Sequence, residues 1–385
     1  MMKRRLLVVL AALLTLALLA AQCSSPAVQP AAPAGESGGA SVESESTETD
    51  LSKQLSVYNW ADYIDEELLT KYEADYGVKI IYDTFASNED LLAKMQAGAT
   101  GYDVIVPSDY MVGQMIELGL LAEINKDNIP NIKNLDPKFL DPPYDPGNKY
   151  CLPYQWGTTG IAYSTKLFGD EPPDSWAYMF DPALAQQWAR GGINLLNDQR
   201  EVLSAAMKYL GYSLNDRDEE HLKQARDAIL AIKPYIKTFN SEGYFEELMV
   251  PGEVVISQAW SGDAFRTMDL TYNEETGESD WGYAIPKEGA VLWQDNLCIP
   301  ASSERRATAE HFINFLLEPE NGAAITNFTF FASPNKAAQE FIAPEILEDP
   351  GIYPPPEVMD KLELMKPLGE TVFVYDRLWT EIKSQ

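Results

Sequence analysis

Hydrophobic and polar positions repeat in two alternating patterns along the chain from residue 55 onward. Short apolar runs at residues 55–58, 78–82 and 103–106 predict buried strands. Between them, residues 65–76 have helical spacing and end at a glycine, and a second helix is predicted to start at Ser87, whose hydroxyl can cap it. Strands that alternate with helices in this order predict a mostly parallel sheet with helices on both faces.

A second α/β region follows residue 154. Helices are predicted at residues 201–210, 219–232 and 308–317, and a buried strand at residues 254–259. The sequence contains neither of the common glycine-rich phosphate loops and no internal repeat. Two α/β lobes without a nucleotide motif predict a ligand site in the cleft between them.

The first 22 residues predict an export signal. Basic residues 3–5 precede an apolar stretch at residues 6–21, which is shorter than the roughly 20 residues of a membrane-spanning helix. Residues 19–23 resemble a bacterial lipobox, in which Cys23 would be lipidated and become the mature N-terminus. Gln22 stands where that motif has a small residue, so cleavage elsewhere, with Cys23 incidental, remains an alternative.

Residues 23–52 predict a flexible tether. They are rich in Ser, Pro, Ala, Gly, Glu and Thr and have no apolar periodicity, so they bury too little surface to offset the entropy of ordering. A tether after a lipid-bearing cysteine lets a folded domain reach a partner in the same membrane. The expected location is therefore periplasmic or at the cell surface, with the lipid anchor as the sole attachment to the membrane.

The charge balance excludes some classes of partner. The chain has 29 Lys and Arg against 59 Asp and Glu, a net charge of −30, so nucleic acid and anionic lipid surfaces are not expected partners. Both histidines, His221 and His311, read as surface positions of helices, and no Cys/His grouping has metal-ligand spacing. We therefore expect no metal, no cofactor and no histidine-based hydrolase.

Carboxylates occur in four short stretches that follow apolar strands, and three of these stretches also contain a tryptophan. The stretches are residues 58–63, 197–201, 258–263 and 292–295. Residues just beyond the carboxyl ends of strands face the cleft of an open α/β sheet, so these stretches are expected to converge. Indoles stack on methylene chains and attract ammonium groups by about 0.5 to 2 kcal/mol each, and carboxylates accept hydrogen bonds from amines. A linear diamine or polyamine needs both, and by supplying the missing charge it would close the lobes.

The same stretches resemble the spermidine/putrescine-binding proteins of bacterial polyamine ABC importers. The similarity runs from about residue 55 to residue 383, through residues 106–110, 152–158, 285–289 and 333–335. It implies an α/β, two-lobed periplasmic-binding-protein fold of type II, with hinge strands crossing near Pro153 and Leu297. Lobe 1 is predicted to be residues 53–153 plus 297–330, and lobe 2 residues 154–296 plus 331–385. The implied function is capture of putrescine and/or spermidine for an ABC permease by a monomer that is not an enzyme.

The resemblance also implies a set of ligand-binding residues. They are Trp60, Asp62, Tyr63, Ser108, Tyr110, Asp198, Glu201, Trp260, Asp263, Trp293, Asp295 and Phe331. In it, Asp62 and Asp295 receive the two terminal amines, and Asp263 matches an aspartate of putrescine-selective members. Ala61 and Phe331 replace polar residues of the family, which affects the expected ligand length and affinity.

Two further residues are assigned from their local context. Asp109 is predicted to be a charge at the rim of the cleft. Arg200 is predicted to pair with an acidic neighbour.

Other functions stay open at this point. A protein of the same fold could bind an amino acid, for which Arg200 is the single candidate cation among the four stretches, or another cationic metabolite or ferric iron. A glycosidase with paired carboxylates also combines tryptophan with acidic residues. A ligand sensor that signals to a receptor is the third alternative.

Cys151 and Cys298 lie at the two predicted crossings. A disulfide between them is compatible with an exported protein. Two separate buried thiols are the favoured interpretation, because adjacent strand positions often point to opposite faces.

Overall fold

The computed structural model describes residues 51–98, 101–169 and 171–384 of the 385-residue chain. The predicted signal peptide, Cys23 and most of the predicted tether lie outside these residues. Leu51 packs against the core, and the backbone N–H of Ser52 donates to the hydroxyl of Thr308 at 2.9 Å. Folded structure therefore begins before the predicted end of the tether. Among the described residues, no helix is both long and apolar enough to cross a bilayer.

The strands of the described residues follow the predicted positions closely in the first region. They are β1 Gln54–Trp60, β2 Lys79–Phe85, β3 Val104–Ile105, β4 Cys151–Ser164, β5 Ile193–Leu195, β6 Ile236–Phe239, β7 Ile256–Trp260, β8 Tyr272–Asn273, β9 Glu278–Ser279, β10 Trp281–Ala284, β11 Val291–Cys298 and β12 Glu363–Leu364.

Helices connect these strands and cover the sheet. They are α1 Glu66–Tyr76, α2 Asn88–Gln96, α3 Asp109–Glu117, α4 Thr165–Phe168, α5 Ala177–Phe180, α6 Pro182–Ala185, α7 Gln199–Tyr209, α8 Glu219–Ile232, α9 Ser261–Leu270, α10 Arg306–Leu316, α11 Pro319–Thr329, α12 Pro344–Leu347, α13 Pro356–Met359 and α14 Val372–Ser384. Shorter 3-10 turns lie at Lys126–Asn128, Pro130–Asn134, Pro137–Phe139, Gln186–Trp188, Lys233–Tyr235, Ala337–Glu340 and Gly369–Thr371, and a π-helical turn at Phe245–Met249.

Helix ends are set by capping residues, of which Gly77 and Ser87 were predicted and Asp65 was predicted to be the first residue of its helix. Asp65 caps α1 by accepting the N–H of Glu67, and Gly77 ends that helix with a φ of 67°, which glycine adopts without steric penalty. Ser87 caps α2 by accepting the N–H of Asp90. Helix α8 has the predicted bounds.

One sheet contains ten of the described strands in the order β2–β1–β3–β11–β4–β7–β5–β6, with β10 beside β4 and β12 beside β11. Strand β1 is parallel to β2 and β3, and β5 is parallel to β6 and β7. The long strands β4 and β11 pair antiparallel between these two parallel groups. They therefore connect the two halves of the sheet.

Two large hydrophobic cores lie on either side of this connection. The first core contains Tyr154 and Trp293 together with α1 to α3 and α10, and the second contains Ile161 together with α7, α8 and α14. Along β4 the change of core falls between Tyr154 and Ile161, and near β11 it falls between Ala290 and Val291. A smaller third core joins Trp156 to residues 323–352. The lobe boundaries stay a prediction.

Cys151 and Cys298 form a disulfide, so the favoured interpretation of two separate thiols was wrong. Their sulfur atoms are 2.01 Å apart and their α-carbons 4.5 Å apart. The two residues are directly opposite each other in the β4–β11 ladder, so their side chains share one face of the sheet. The bond links the two connecting strands inside the first core.

His311 is half-buried and does not lie free on the helix surface as the sequence predicted. Its Nδ1 is 3.0 Å from the hydroxyl of Tyr72, and its ring packs edge-on against Tyr76. It therefore helps to fix α10 against α1.

Candidate functional site

A cleft lies where β1, β3, β5 and β7 end and where α2, α3, α7 and α9 begin. It encloses about 790 Å³ including its solvent-filled mouth. All of the ligand-binding residues predicted from the sequence line it: Trp60, Asp62, Tyr63, Ser108, Tyr110, Asp198, Glu201, Trp260, Asp263, Trp293, Asp295 and Phe331. The strand ends bring them together from across the chain, as expected for an open α/β sheet.

Trp60 and Trp260 come from the two halves of the sheet and contact each other in the cleft. Their rings are 5.8 Å apart in an edge-to-face arrangement. The indole N–H of Trp60 donates to the carbonyl of Val106 at 2.9 Å, and that of Trp260 donates to Glu201 Oε1 at 3.3 Å. These hydrogen bonds fix the ring orientations and leave aromatic surface toward the cleft.

Asp295 is held by two short hydrogen bonds. Its Oδ2 accepts from the hydroxyl of Tyr63 and its Oδ1 from the hydroxyl of Ser108, each at 2.6 Å. Asn88 in turn donates to Ser108 Oγ at 3.0 Å. Burial raises the pKa of Asp295 to about 6, although the Ser108 and Tyr63 hydrogen bonds favour the carboxylate. At neutral pH it is therefore an ionised acceptor.

The backbone around Asp295 is irregular. The β4–β11 register shifts between Asp295 and Asn296, so Asp295 pairs with Gln155, Asn296 pairs with Pro153, and Tyr154 has no partner in the ladder. Such a bulge turns a side chain away from its regular direction. Asp295 also forms an isolated bridge with Ser108, which brings the end of β3 against the cleft.

The rings of Trp293, Phe331 and Tyr63 pack against one another in the cleft, and glycine backbone contacts two of them closely. Trp293 lies 5.1 Å from Phe331, and Phe331 lies 5.2 Å from Tyr63, measured between ring centroids. A Cβ at Gly262 would be 2.6 Å from the Phe331 ring, and one at Gly157 would be 2.6 Å from the Trp293 ring. Only glycine fits at these two positions, which allows both rings to lie in the cleft.

Asp62, in the loop after β1, and Asp263, in α9, form an acidic pair near Arg266. Asp62 has a φ of 54°, a left-handed conformation that aspartate tolerates better than most residues. Arg266 Nη1 is 3.9 Å from Asp62 Oδ1 and donates to the Asp62 carbonyl at 3.4 Å. Desolvation raises the pKa of Asp263 to about 7, and the Tyr244 hydroxyl and Arg266 partly offset this.

A second acidic group, which we call the Arg200 cluster, interacts electrostatically with that arginine. It consists of Glu89 on α2, Asp109 on α3, and Asp198 and Glu201 at the start of α7. Burial raises the pKa of all four carboxyl groups, that of Asp109 to about 8, and Arg200 lowers the pKa of each. Asp198 also caps α7, because its Oδ1 accepts the N–H groups of Arg200 and Glu201 at 2.8 and 3.1 Å.

Two predictions about this cluster were wrong. Asp109 is only 1% exposed and is not a rim charge; its Oδ2 is buried without a hydrogen-bond partner in the described residues. Arg200 has no carboxylate within 4.0 Å among the described residues, and its contacts are aromatic rings and a carbonyl.

Asn88 and Met365 also line the cleft but were not predicted. Asn88 follows the end of β2, so the strand-end rule that found the other residues would have found it as well. Met365 comes from the distant C-terminal segment after β12, and nothing in its local sequence indicates a cleft position. In the described part of the chain, no group of three or more His, Cys, Asp or Glu residues could hold a metal ion.

Comparison with known proteins identifies the family. The profile of the bacterial extracellular solute-binding proteins matches residues 67–354. The chain belongs to this family. This solute-binding protein is 38% identical over 340 residues to the putrescine-binding periplasmic protein SpuD of Pseudomonas aeruginosa, covering 86% of this chain and 92% of that protein. It is 34% identical over 341 residues to the putrescine-binding periplasmic protein PotF of Escherichia coli, with coverages of 86% and 92%.

A solved structure confirms the fold of this solute-binding protein. The spermidine/putrescine ABC transporter substrate-binding protein PotD of Streptococcus pneumoniae matches with a TM-score of 0.70 at 34% identity, covering 86% of this chain and 99% of that one. The fold is thus the two-lobed α/β fold of periplasmic binding proteins, as predicted. The resemblance inferred from the sequence motifs is also confirmed.

Proposed function

We propose that this solute-binding protein captures a linear polyamine, putrescine and/or spermidine, in the cleft and delivers it to an ABC permease. The observation that carries the proposal is the convergence of Trp60, Trp260 and Trp293 with Asp295 in one buried cleft. Relatives named for putrescine binding, and one named as an ABC transporter substrate-binding protein, support it.

The chemistry of the cleft suits two ammonium groups joined by methylenes. The tryptophan walls offer ring faces to a methylene chain and to cations. Asp295 and Asp62 are proposed to receive the two terminal amines, and the other predicted residues to complete the contacts. A buried carboxylate without a cation is unfavourable, so a dicationic solute relieves the charge that the cleft concentrates.

An amino acid fits the cleft less well. Its carboxylate would need a free cationic partner. Arg200 lies against the ring of Tyr110 and donates to the carbonyl of Lys366, and Arg266 is near Asp62. These contacts hold both arginines in place, and the lining of the cleft contains seven Asp and Glu residues against one arginine, so the cleft favours a cation over a zwitterion.

Attachment and mode of action complete the proposal. A lipidated Cys23 would anchor the protein to the outer face of a membrane, and the tether up to about residue 52 would let both lobes reach the permease. The protein would act as a monomer and would bind its solute without turnover. The periplasmic names of SpuD and PotF support an extracytoplasmic location.

Calorimetric titration of the purified protein tests the proposal. Putrescine or spermidine should bind, and arginine should bind weakly or not at all. Trp260→Ala should weaken polyamine binding at least about tenfold, because it removes a stacking wall. Trp379→Ala on α14 is the matched control, since Trp379 packs against Phe239 and does not line the cleft. Binding of glutamate or a sugar without binding of any polyamine would refute the proposal.

A further inference from the structure

Arg200 is a buried cation that forms no ion pair with any residue that the structure describes. The residue is 2% exposed and lines the cleft. Its Nη2 donates to the carbonyl of Lys366 at 3.0 Å, and its Nε is buried without a hydrogen-bond partner in the described residues. A buried charge needs compensation, and among residues 51–98, 101–169 and 171–384 no carboxylate lies within 4.0 Å to provide it. The compensation must come from the wider surroundings.

Aromatic rings hold the guanidinium in place. Its central carbon lies 4.6 Å above the ring of Tyr110 and 5.5 Å from the ring of Tyr375. Arginine stacks on aromatic faces in this way, and the attraction grows when the pair is shielded from water. Tyr375 belongs to α14 and the second core, as does α7, which carries Arg200.

Tyr110 belongs to the other half of the molecule. It lies in α3 in the first core, and its hydroxyl donates to Glu89 Oε1 of α2 at 3.2 Å. A continuous contact therefore runs from α7 through Arg200 and Tyr110 to Glu89. It bridges the cleft by means of groups that belong to the protein itself.

Four carboxyl groups on three helices interact with the charge of Arg200, and Asp216 and Arg217 act together with it on Tyr375. Glu89 comes from α2, Asp109 from α3, and Asp198 and Glu201 from α7, while α14 contributes the Tyr375 ring and the segment after β12 a carbonyl. Repulsion from Asp198 raises the pKa of Glu89 and of Glu201 further, and Arg200 opposes this rise. The arginine is thus shared by four carboxyl groups.

We propose that Arg200 is a positioning residue that acts as a resident cation: it bridges the two lobes on the ring of Tyr110 and offsets the negative charge that the Arg200 cluster acquires when its carboxyl groups ionise. The solute then enters a cleft whose two sides are already connected through Arg200 and Tyr110. Its carboxyl groups are more easily ionised because of the arginine, and so can accept hydrogen bonds from ammonium groups. The inference rests on the proposed function, because it assigns Arg200 a role in polyamine affinity without direct contact to the ligand.

Two alternative roles of Arg200 predict effects on putrescine affinity that do not depend on pH. If Arg200 only repelled the solute, its removal would strengthen binding at every pH. If it only packed, its removal would weaken binding equally at every pH. A resident cation makes the effect depend on pH, because without it the surrounding carboxyl groups hold their protons to higher pH.

The test is titration with putrescine from pH 5.5 to pH 9 in the unmodified protein and in Arg200→Gln and Arg200→Lys. Putrescine affinity of the unmodified protein should fall as the pH is lowered. In Arg200→Gln the midpoint of this fall should move up by about one pH unit, which makes binding about tenfold weaker near neutral pH and much less affected at pH 9. Arg200→Lys should restore the midpoint, since it restores the charge, but should keep a constant loss because lysine lacks the planar stacking surface.

Arg217→Gln is the matched control. Arg217 is exposed and donates to the carbonyl of Pro367 at 2.6 Å, next to the carbonyl that Arg200 contacts, but it does not line the cleft. Arg217→Gln removes the same charge as Arg200→Gln and should leave the midpoint of the pH dependence unchanged.

Two results would overturn the inference and leave the proposed function intact. They are tighter putrescine binding by Arg200→Gln, and a loss of affinity in Arg200→Gln that is equal at every pH. Absence of putrescine binding by the unmodified protein at any pH would overturn both. Should Arg200→Gln fail to fold, an unchanged midpoint and no constant loss in Arg200→Lys would decide against the bridge.

Discussion

Buried carboxyl groups in the cleft differ in their charge at neutral pH. Asp295, with a pKa of about 6, is mainly ionised, and its carboxylate is held by Tyr63 and Ser108. Asp109, with a pKa raised to about 8 by burial, is mainly neutral in the empty protein. We therefore expect these two aspartates, which line the same cleft, to contribute differently to the binding of a cation.

Asp295→Asn should weaken polyamine binding far more than Asp109→Asn. The first change removes an ionised acceptor, and loss of a buried charged partner costs roughly 2 to 5 kcal/mol. The second replaces a mainly neutral carboxylic acid by an amide of similar shape. Calorimetric titration at pH 7 measures both variants, and equal losses would contradict the assignment of Asp295 to an amine.

Polyamine binding should depend on pH in one direction. The raised pKa values of Asp295 and Asp263, about 6 and 7, mean that the folded empty protein holds more protons than the unfolded chain between about pH 4 and pH 7. These groups therefore reduce the stability of the empty protein as the pH rises through that window. A bound ammonium favours the carboxylates, so binding should release protons at pH 6 to 7 and strengthen as the pH rises. Titration in two buffers of different ionisation enthalpy measures the released protons; proton uptake would contradict this.

Single side chains show what the sequence could predict of the site. The carboxylates and tryptophans that follow apolar strands were predicted on two grounds. Residues just beyond the carboxyl ends of strands face the cleft, and the sequence motifs resemble those of the family. The burial of Asp109 was missed because it depends on how α3 packs beneath β11, which is a long-range contact. The surroundings of Arg200 were missed for the same reason, since Tyr110, Tyr375 and Lys366 are far from it in the sequence.

Strands β4 and β11 are the elements that organise the molecule. Their positions near Pro153 and Leu297 were predicted as lobe crossings, but their register was not. Register decides that Cys151 and Cys298 face each other and that the bulge falls at Asp295. Local sequence does not fix the pairing of strands that are more than a hundred residues apart, because the pairing depends on the packing of the whole sheet.

Reduction of the Cys151–Cys298 disulfide should lower stability and leave polyamine affinity nearly unchanged. The bond closes a loop with a sequence separation of 147, and loss of a native disulfide typically costs about 2 to 5 kcal/mol. Both cysteines lie in the first core, and neither lines the cleft. Denaturant unfolding and titration of the Cys151→Ser, Cys298→Ser double variant measure the two quantities. A large loss of affinity in protein that is still folded would show that the bond also positions Asp295.

At the scale of the whole molecule, the cleft combines features that are unfavourable in isolation. Carboxyl groups from both halves of the sheet are buried close to one another, and two arginines offset only part of their charge. A single rigid core would have no reason to keep this arrangement. We expect the two lobes joined by β4 and β11 to close more tightly when a cation supplies the missing charge.

Polyamine should therefore raise the melting temperature of the protein. A ligand that binds only the folded state adds about RT ln(1 + [L]/Kd), or roughly 2.7 kcal/mol at a hundredfold excess over Kd. Glucose and glutamate lack the two ammonium groups, and Fe³⁺ finds no cluster of metal ligands in the described residues, so none of the three should shift the transition. Thermal unfolding with each compound at pH 8, where Asp295 and Asp263 are ionised, gives the clearest comparison. A shift with glucose, glutamate or Fe³⁺ and none with putrescine or spermidine would mean that the acidic and aromatic residues of the cleft serve a different solute.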